Sequence, residues 1–402
     1  MKRSGLPPAL MGLANLPFGL WGGLTLVTVP QLLAARHTPE PVIAGITAAA
    51  MIPTFCGFLV APILDVGLDR RTWARIFGLV TAAFAWLVLV EIGNLGLLTG
   101  LMITGYLAAN LFYNAVGGWL GDVVEKGQEG RLGASFTIGN VVGFGVGAAL
   151  FITVMRSAPA AWGPPIAVLA IAAPLLLTLW IPATPPGGRT AHESFGTLFR
   201  DLSKLLRQAV VLRTLLLFAL PAASFALTNT LGGLGRDFSA SESFVGQVAG
   251  IGVVAGAVGS LAVPWLVARV SPRLLYLAIG ALGAAFTLVL IGLPRAPWVF
   301  GLAVLGENVF QSAAFAVEST ISFRSLGEAN PLAATQFGLL QAMTCLPIVY
   351  MQALDGQAYG GGGLQGMLAA DAGLSVLACF VLLPLVLAWR RKEEAVVAPE
   401  PA

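Results

Sequence analysis

Charge is scarce in this chain. Of its 402 residues, 22 are Lys or Arg and 19 are Asp or Glu, so only 10% are charged. A soluble domain carries about 25%, and this sequence cannot cover a water-facing surface. The net charge of +3 is too small to suggest a nucleic-acid partner. Histidine is almost missing, with His37 and His192 only, and no His/Cys/carboxylate cluster has metal-ligand spacing. Neither a Ser/His/Asp arrangement nor any other reactive cluster is visible, so no enzyme, metal or cofactor is expected. The three cysteines, Cys56, Cys345 and Cys379, lie in apolar runs and outline no disulfide framework.

What is abundant is apolar length: 57% of the residues are hydrophobic. Runs of about 20 apolar residues recur along the chain, the length that crosses a bilayer. Breaks at charges, Pro and Gly divide them into twelve predicted spans. They fall near 9–35, 42–64, 73–92, 97–121, 132–155 and 164–182, then 213–235, 243–268, 274–293, 298–323, 333–354 and 368–389. The basic start followed by an apolar core could be a signal peptide, but it shows no convincing cleavage site and reads as a retained first span.

With the N-terminus inside, eighteen of the 22 basic residues fall in inner segments, leaving Arg36, Arg156, Arg236 and Arg295 outside. A missed span would scramble that alternation. Both termini are therefore expected on the cytoplasmic side. The organisation predicted is a six-span half at 1–182, a cytoplasmic linker with an amphipathic helix at 183–212, a second six-span half at 213–392 and a tail at 393–402. The halves echo one another: Leu16-Pro17 matches Leu220-Pro221, Pro62 matches Pro264, and Ala134-Ser135 matches Ala334-Thr335. Two six-span halves joined by a polar inner linker describe an all-α integral membrane protein of the major facilitator plan.

Three motif groups follow. After the second span, APILDVGLDRRTWAR sets Asp65 and Asp69 beside Arg70 and Arg71. It resembles the major facilitator inner-loop signature, whose acid and base bridge neighbouring helix ends and latch a gate. Ordinary positive-inside topology explains the arginines but not the aspartates. GFGVGAA at 143–149 and GIGVVAGAVGS at 250–260 follow no strand, and Gly252, Gly256 and Ser260 form a small-residue packing face rather than a nucleotide site. The run Gly360 to Gly363 reads as an outer-loop connector.

The third group is polar residues inside spans, each of which could serve only as glue between helices. Asn15 and Gln31 lie in span 1, Asn110, Tyr113 and Asn114 in span 4, Asn140 in span 5 and Asn229 in span 7. Span 10 reads LGENVFQSAAFAVESTISF and adds Glu307, Asn308, Gln311 and Glu318. At ~100° per residue, Gln311 and Glu318 fall about 40° and about 20° from Glu307, so the three share one face. Carboxylates at membrane depth are costly and mark function by default. A carboxyl that alternates between wet and dry surroundings can bind and release a proton near neutral pH. Glu307, near the midplane, is the first candidate for proton coupling. Glu318, nearer the inner end, is the second, with an interfacial ion pair to Arg324 as its alternative.

LPFGLWGGLTLVTVPQLL at 16–33, IPTFCGFLVAPILD at 52–65 and ATQFGLLQA at 334–342 resemble AmpG-type muropeptide permeases. These belong to the peptide–acetyl-CoA transporter branch of the major facilitator superfamily, which also includes siderophore carriers. Gly57 stands where those permeases carry a lysine, and Asn110 and Asn114 stand where they carry acids, which concentrates intramembrane charge in span 10. The resemblance implies alternating-access uptake of a peptide-containing solute, muropeptide- or siderophore-like, together with H+, by a monomer in the inner membrane. An exporter or an uncoupled facilitator of another small organic solute is the alternative. No basic residue lies deep in a span, which favours a neutral, zwitterionic or cationic solute.

Overall fold

A computed structural model describes residues 6–184, 196–327 and 330–397. Of the predicted linker, 185–195 lie outside the described residues, as do Lys2, Arg3 and the tail from 398. Among the described residues the chain is all helical, with no strand. Nine helices there are long and apolar enough to cross a membrane. They begin with α1 (Pro8–Ala35), α2 (Glu40–Leu59), α3 (Arg70–Val90), α4 (Leu95–Val123) and α5 (Glu129–Ser157). Two shorter apolar helices, α6 (Gly163–Leu179) and α7 (Ala209–Ala219), occupy the sixth and seventh predicted spans. α8 (Glu242–Val267), α9 (Pro272–Ile291) and α10 (Pro297–Leu326) follow. The last apolar run, Ala333–Arg391, is broken once, where Gly363 takes φ 59° and ψ −156°. That glycine divides it into α11 (333–362) and α12 (364–397), so each predicted span has a helical counterpart.

Two expectations change here. The glycine run predicted as an outer loop is helical through Gly362, and only Gly363 departs. Glycine costs a helix about 1 kcal/mol per residue but does not forbid one. The seventh span, predicted as continuous, is interrupted. α7 ends at Ala219, and helix resumes only at Leu227–Thr230, followed by tighter 3-10 turns over Leu231–Phe238. Pro221 disfavours the helical region for Leu220, and Phe225 adopts a left-handed φ of 47°. α9 makes room for this unwound stretch with glycine. A Cβ at Gly280 would lie 1.8 Å from the Ala222 carbonyl oxygen, and one at Gly283 would lie 2.3 Å from the Phe225 ring. The freed carbonyls find side-chain donors, as apolar surroundings demand. Tyr350 donates to Ala219 O at 2.9 Å, the Cys379 thiol faces Ala222 O at 3.6 Å, and Thr228 donates to Phe225 O at 2.8 Å.

Packing divides the chain into two compact units. The first comprises Met1–Leu212 and Ser322–Cys345, the second Arg213–Ile321 and Leu346–Ala402. In the first, α1 and α5 meet backbone to backbone. A Cβ at Gly19 would stand 2.1 Å from Asn140 O, and one at Gly143 would stand 2.7 Å from Leu16 O. The core of this unit includes Phe112, Trp119, Phe136, Phe323 and Phe337. In the second unit Gly252 and Gly256 of α8 lie against Asn308 and Ser312 of α10, and Ser260 donates to Ser312 O at 3.1 Å. Small residues set these approaches, as in other membrane helix pairs. Before α7, the linker forms a helix at Leu198–Arg207 in which Leu205 is buried.

Candidate functional site

In the second unit, α10 carries the polar stripe. Glu307 is 1% exposed, and its Oε1 lies 2.7 Å from the Thr287 hydroxyl of α9. Its other oxygen has no hydrogen-bond donor among the described residues. One turn on, Gln311 donates to Thr228 Oγ1 at 2.6 Å and to Phe225 O at 3.3 Å, tying α10 to the unwound stretch after α7. Phe310 stacks on Phe225 with ring centroids 5.9 Å apart. Asn308 turns away from that face and donates to Val304 O of its own helix at 2.8 Å. Asn229 is exposed. Glu318 is buried and shares a hydrogen bond with Tyr276 of α9. Among the described residues no ion pair joins Glu318 to Arg324, whose guanidinium lies 3.6 Å from Glu129 of α5.

Two acids that sequence reasoning passed over join this stripe. Asp355 of α11 is 0% exposed, and neither carboxyl oxygen meets a donor among the described residues. Asp371 of α12 is also buried, with Oδ1 unmet. Asp355 interacts electrostatically with both Glu307 and Asp371, and Glu307 with Asp371. Intramembrane charge is therefore not concentrated in α10, as expected, but shared among α10, α11 and α12. Asp355 was hidden by placing the end of its span at 354 ahead of the glycine run. Asp371 was visible as an acid within an apolar run, and nothing local tied it to Glu307.

In the first unit, the polar residues predicted for solute binding take several roles. Asn15 is fully buried and donates to Phe136 O at 3.3 Å, while its own side-chain oxygen meets no donor among the described residues. Asn110 donates to Tyr106 O within α4 at 2.8 Å. Tyr113 donates to Gln341 Oε1 of α11 at 2.8 Å and packs against Phe18 at 4.5 Å. Asn114 presses on Gly338, where a Cβ would come within 2.6 Å of its amide. Asn140 is half-buried and Gln31 exposed.

The inner-loop motif resolves into two groups. Asp65 accepts the Arg70 guanidinium at 2.8 Å and the backbone N–H groups of Ala334 and Thr335 at 3.2 and 3.0 Å. It also accepts the Thr335 hydroxyl at 2.7 Å. A carboxylate at the first turn of a helix meets both unpaired N–H groups and the positive end of the helix dipole. Arg70 continues to Asp122 of α4 and to Asn330 O at 2.9 Å. Asp69 and Arg71 stand apart from this cluster. Asp69 accepts from the Thr72 hydroxyl, and Arg71 lies 3.8 Å from Asp69 while donating to Ile181 O at 3.3 Å. Asp122 and Thr335 are members that the motif alone does not reveal. Among the described residues no group of His, Cys, Asp and Glu could hold a metal ion.

The sequence matches the model of the Major Facilitator Superfamily over residues 11–351. The chain belongs to that superfamily, and it is a multi-pass membrane transporter of the secondary type. Solved structures share its fold at low identity. The human organic anion transporter MFSD10 is 17% identical with a TM-score of 0.68, covering 93% of this chain and 98% of that one. The proton:xylose symporter XylE is 15% identical with a TM-score of 0.68, covering 94% and 95%. The E. coli fucose:proton symporter FucP is 14% identical with a TM-score of 0.69, covering 93% and 97%. No curated protein matches the sequence.

Proposed function

We propose that this transporter couples movement of a peptide-containing organic solute, muropeptide- or siderophore-like, to protons, working as a monomer in the inner membrane with both termini cytoplasmic. The observation that carries the reading is Glu307: a carboxyl 1% exposed on a membrane helix, hydrogen-bonded among the described residues to Thr287 alone. A buried carboxyl without a cationic partner stays inexpensive only while it holds a proton. Releasing that proton requires water or a cationic solute to reach it, which links titration to shape. The neighbouring Asp355 and Asp371 favour a solute that is neutral, zwitterionic or cationic over a polyanion. The resemblance to AmpG-type permeases supplies the peptide-containing class. Asp65 and Arg70, with Asp122, are the proposed gate latch, since the bonds of Asp65 and Arg70 to Asn330, Ala334 and Thr335 must break before α11 can leave the start of α3 and the turn before it.

The test is uptake into proteoliposomes of a panel comprising an anhydro-muropeptide, a tripeptide and a ferric siderophore, with and without an imposed inward proton gradient. Gradient-stimulated accumulation of one of them is expected. Gradient-independent flux of the same solute would replace the proposal with a facilitator.

A further inference from the structure

The Thr287 hydroxyl has one proton and two acceptors within reach. It lies 2.7 Å from Glu307 Oε1 and 3.1 Å from the carbonyl oxygen of Gly283, one turn back in α9. A hydroxyl donates once and accepts through its lone pairs, so it cannot donate to both. Which bond it makes depends on Glu307. Facing a carboxylate, the hydroxyl must turn its proton to Glu307, leaving the Gly283 carbonyl to its backbone partner alone. Facing a carboxylic acid, it can accept the proton of Glu307 and donate its own to Gly283.

Gly283 is also where the unwound stretch touches α9. The Phe225 ring occupies the place of its missing side chain, and the Phe225 carbonyl accepts from Gln311, one turn from Glu307 on α10. Resting on the assignment of Glu307 as a protonation site, we propose that Thr287 is a positioning residue whose hydroxyl reverses direction with the proton and carries that state to the Gly283–Phe225 contact. No bond to carbon changes. One proton moves between water and Glu307, and the hydroxyl keeps its own while rotating. The charged groups acting on Glu307 are Asp355 from α11 and Asp371 from α12. α9 presents the uncharged Thr287, and the interrupted stretch after α7 and helix α8 bring the uncharged Thr228 and Gly252 to the same stretch of α10.

The experiment uses the full chain in lipid nanodiscs, titrated with protons while the carboxylic C=O region is followed by infrared difference spectroscopy. The band absent from Glu307→Gln belongs to Glu307. In Thr287→Val that band is expected at higher wavenumber, as for a carboxyl that has lost a hydrogen bond. Its titration midpoint should shift by about one to two pH units, the effect of a single charge-assisted bond. Thr287→Ser should restore both. Hydrogen exchange over 220–227 should follow the Glu307 titration in the wild type and lose that dependence in Thr287→Val. Thr287→Ala takes the place of Val if Val does not fold. A Glu307 band and midpoint unmoved by loss of the hydroxyl would overturn the role of Thr287 alone. If Glu307→Gln removed no titrating band, the protonation site itself would be overturned, and this inference with it.

Discussion

Asp65 grips the start of α11 through Thr335, accepting its backbone N–H at 3.0 Å and its hydroxyl at 2.7 Å. The two residues are 270 positions apart in sequence, yet both belong to the first compact unit. Holding them together needs the negative charge, because the same carboxylate also receives Arg70.

Asp65→Asn keeps the shape and removes the charge, while Arg70 retains Asp122. Bonds to a charged group contribute about 1.5–3 kcal/mol each, so the latch equilibrium should move roughly tenfold or more toward release. The reporter is Cys345, half-buried on α11, in a Cys56→Ser background that removes the exposed thiol. Its rate of labelling by a membrane-permeant maleimide should rise by a similar factor. Unchanged labelling would show that Asp65 does not hold the gate.

Glu307→Gln retains the size and the hydrogen bond to Thr287 but cannot ionise. Gradient-driven accumulation of the transported solute should fall to the level reached without a gradient. Exchange of labelled for unlabelled solute, which needs no net proton movement, should persist. Full gradient-driven uptake by the variant would remove Glu307 from the coupling mechanism.

Among the described residues, neither carboxyl oxygen of the fully buried Asp355 meets a donor. An unsatisfied buried polar group costs about 1–3 kcal/mol, and more when charged. Asp355→Asn removes the ionisable oxygen and is expected to raise the unfolding temperature at neutral pH while lowering transport. Natural proteins retain such costly groups where activity uses them. A variant that is more stable and transports normally would mark Asp355 as incidental.

Much of this was legible because a bilayer punishes charge. The spans, the stripe on α10 and the Asp65–Arg70 motif all stand out against apolar neighbours, and each is present as a helix, a buried face or an ion pair. The failures share a different cause. Gly360 to Gly362 look like a loop by local propensity, yet they continue the helix that carries the buried Asp355. Pro221 hinted at a break in span 7, but the left-handed Phe225 depends on the space left by Gly280 and Gly283 in another helix. Likewise, Asp69 and Arg71 carry the right residue types beside the latch, and only the path of the chain shows that Arg70 alone reaches Asp122 and Asn330.

The glycines separate into those that permit a contact and those that permit nothing visible, and stability should distinguish them. A Cβ at Gly19 would stand 2.1 Å from the Asn140 carbonyl, so α1 and α5 must move apart to admit one. Overpacking of this kind costs about 1–3 kcal/mol. A Cβ at Gly250, within α8, would meet nothing within 4 Å. Alanine there should stabilise the helix by about 0.5–1 kcal/mol through the lower entropy of the unfolded chain. Thermal unfolding in detergent should therefore move down for Gly19→Ala and slightly up for Gly250→Ala. If both moved down together, helix α8 would owe its glycines to a contact on its exposed face, and not to the approach of α10 alone.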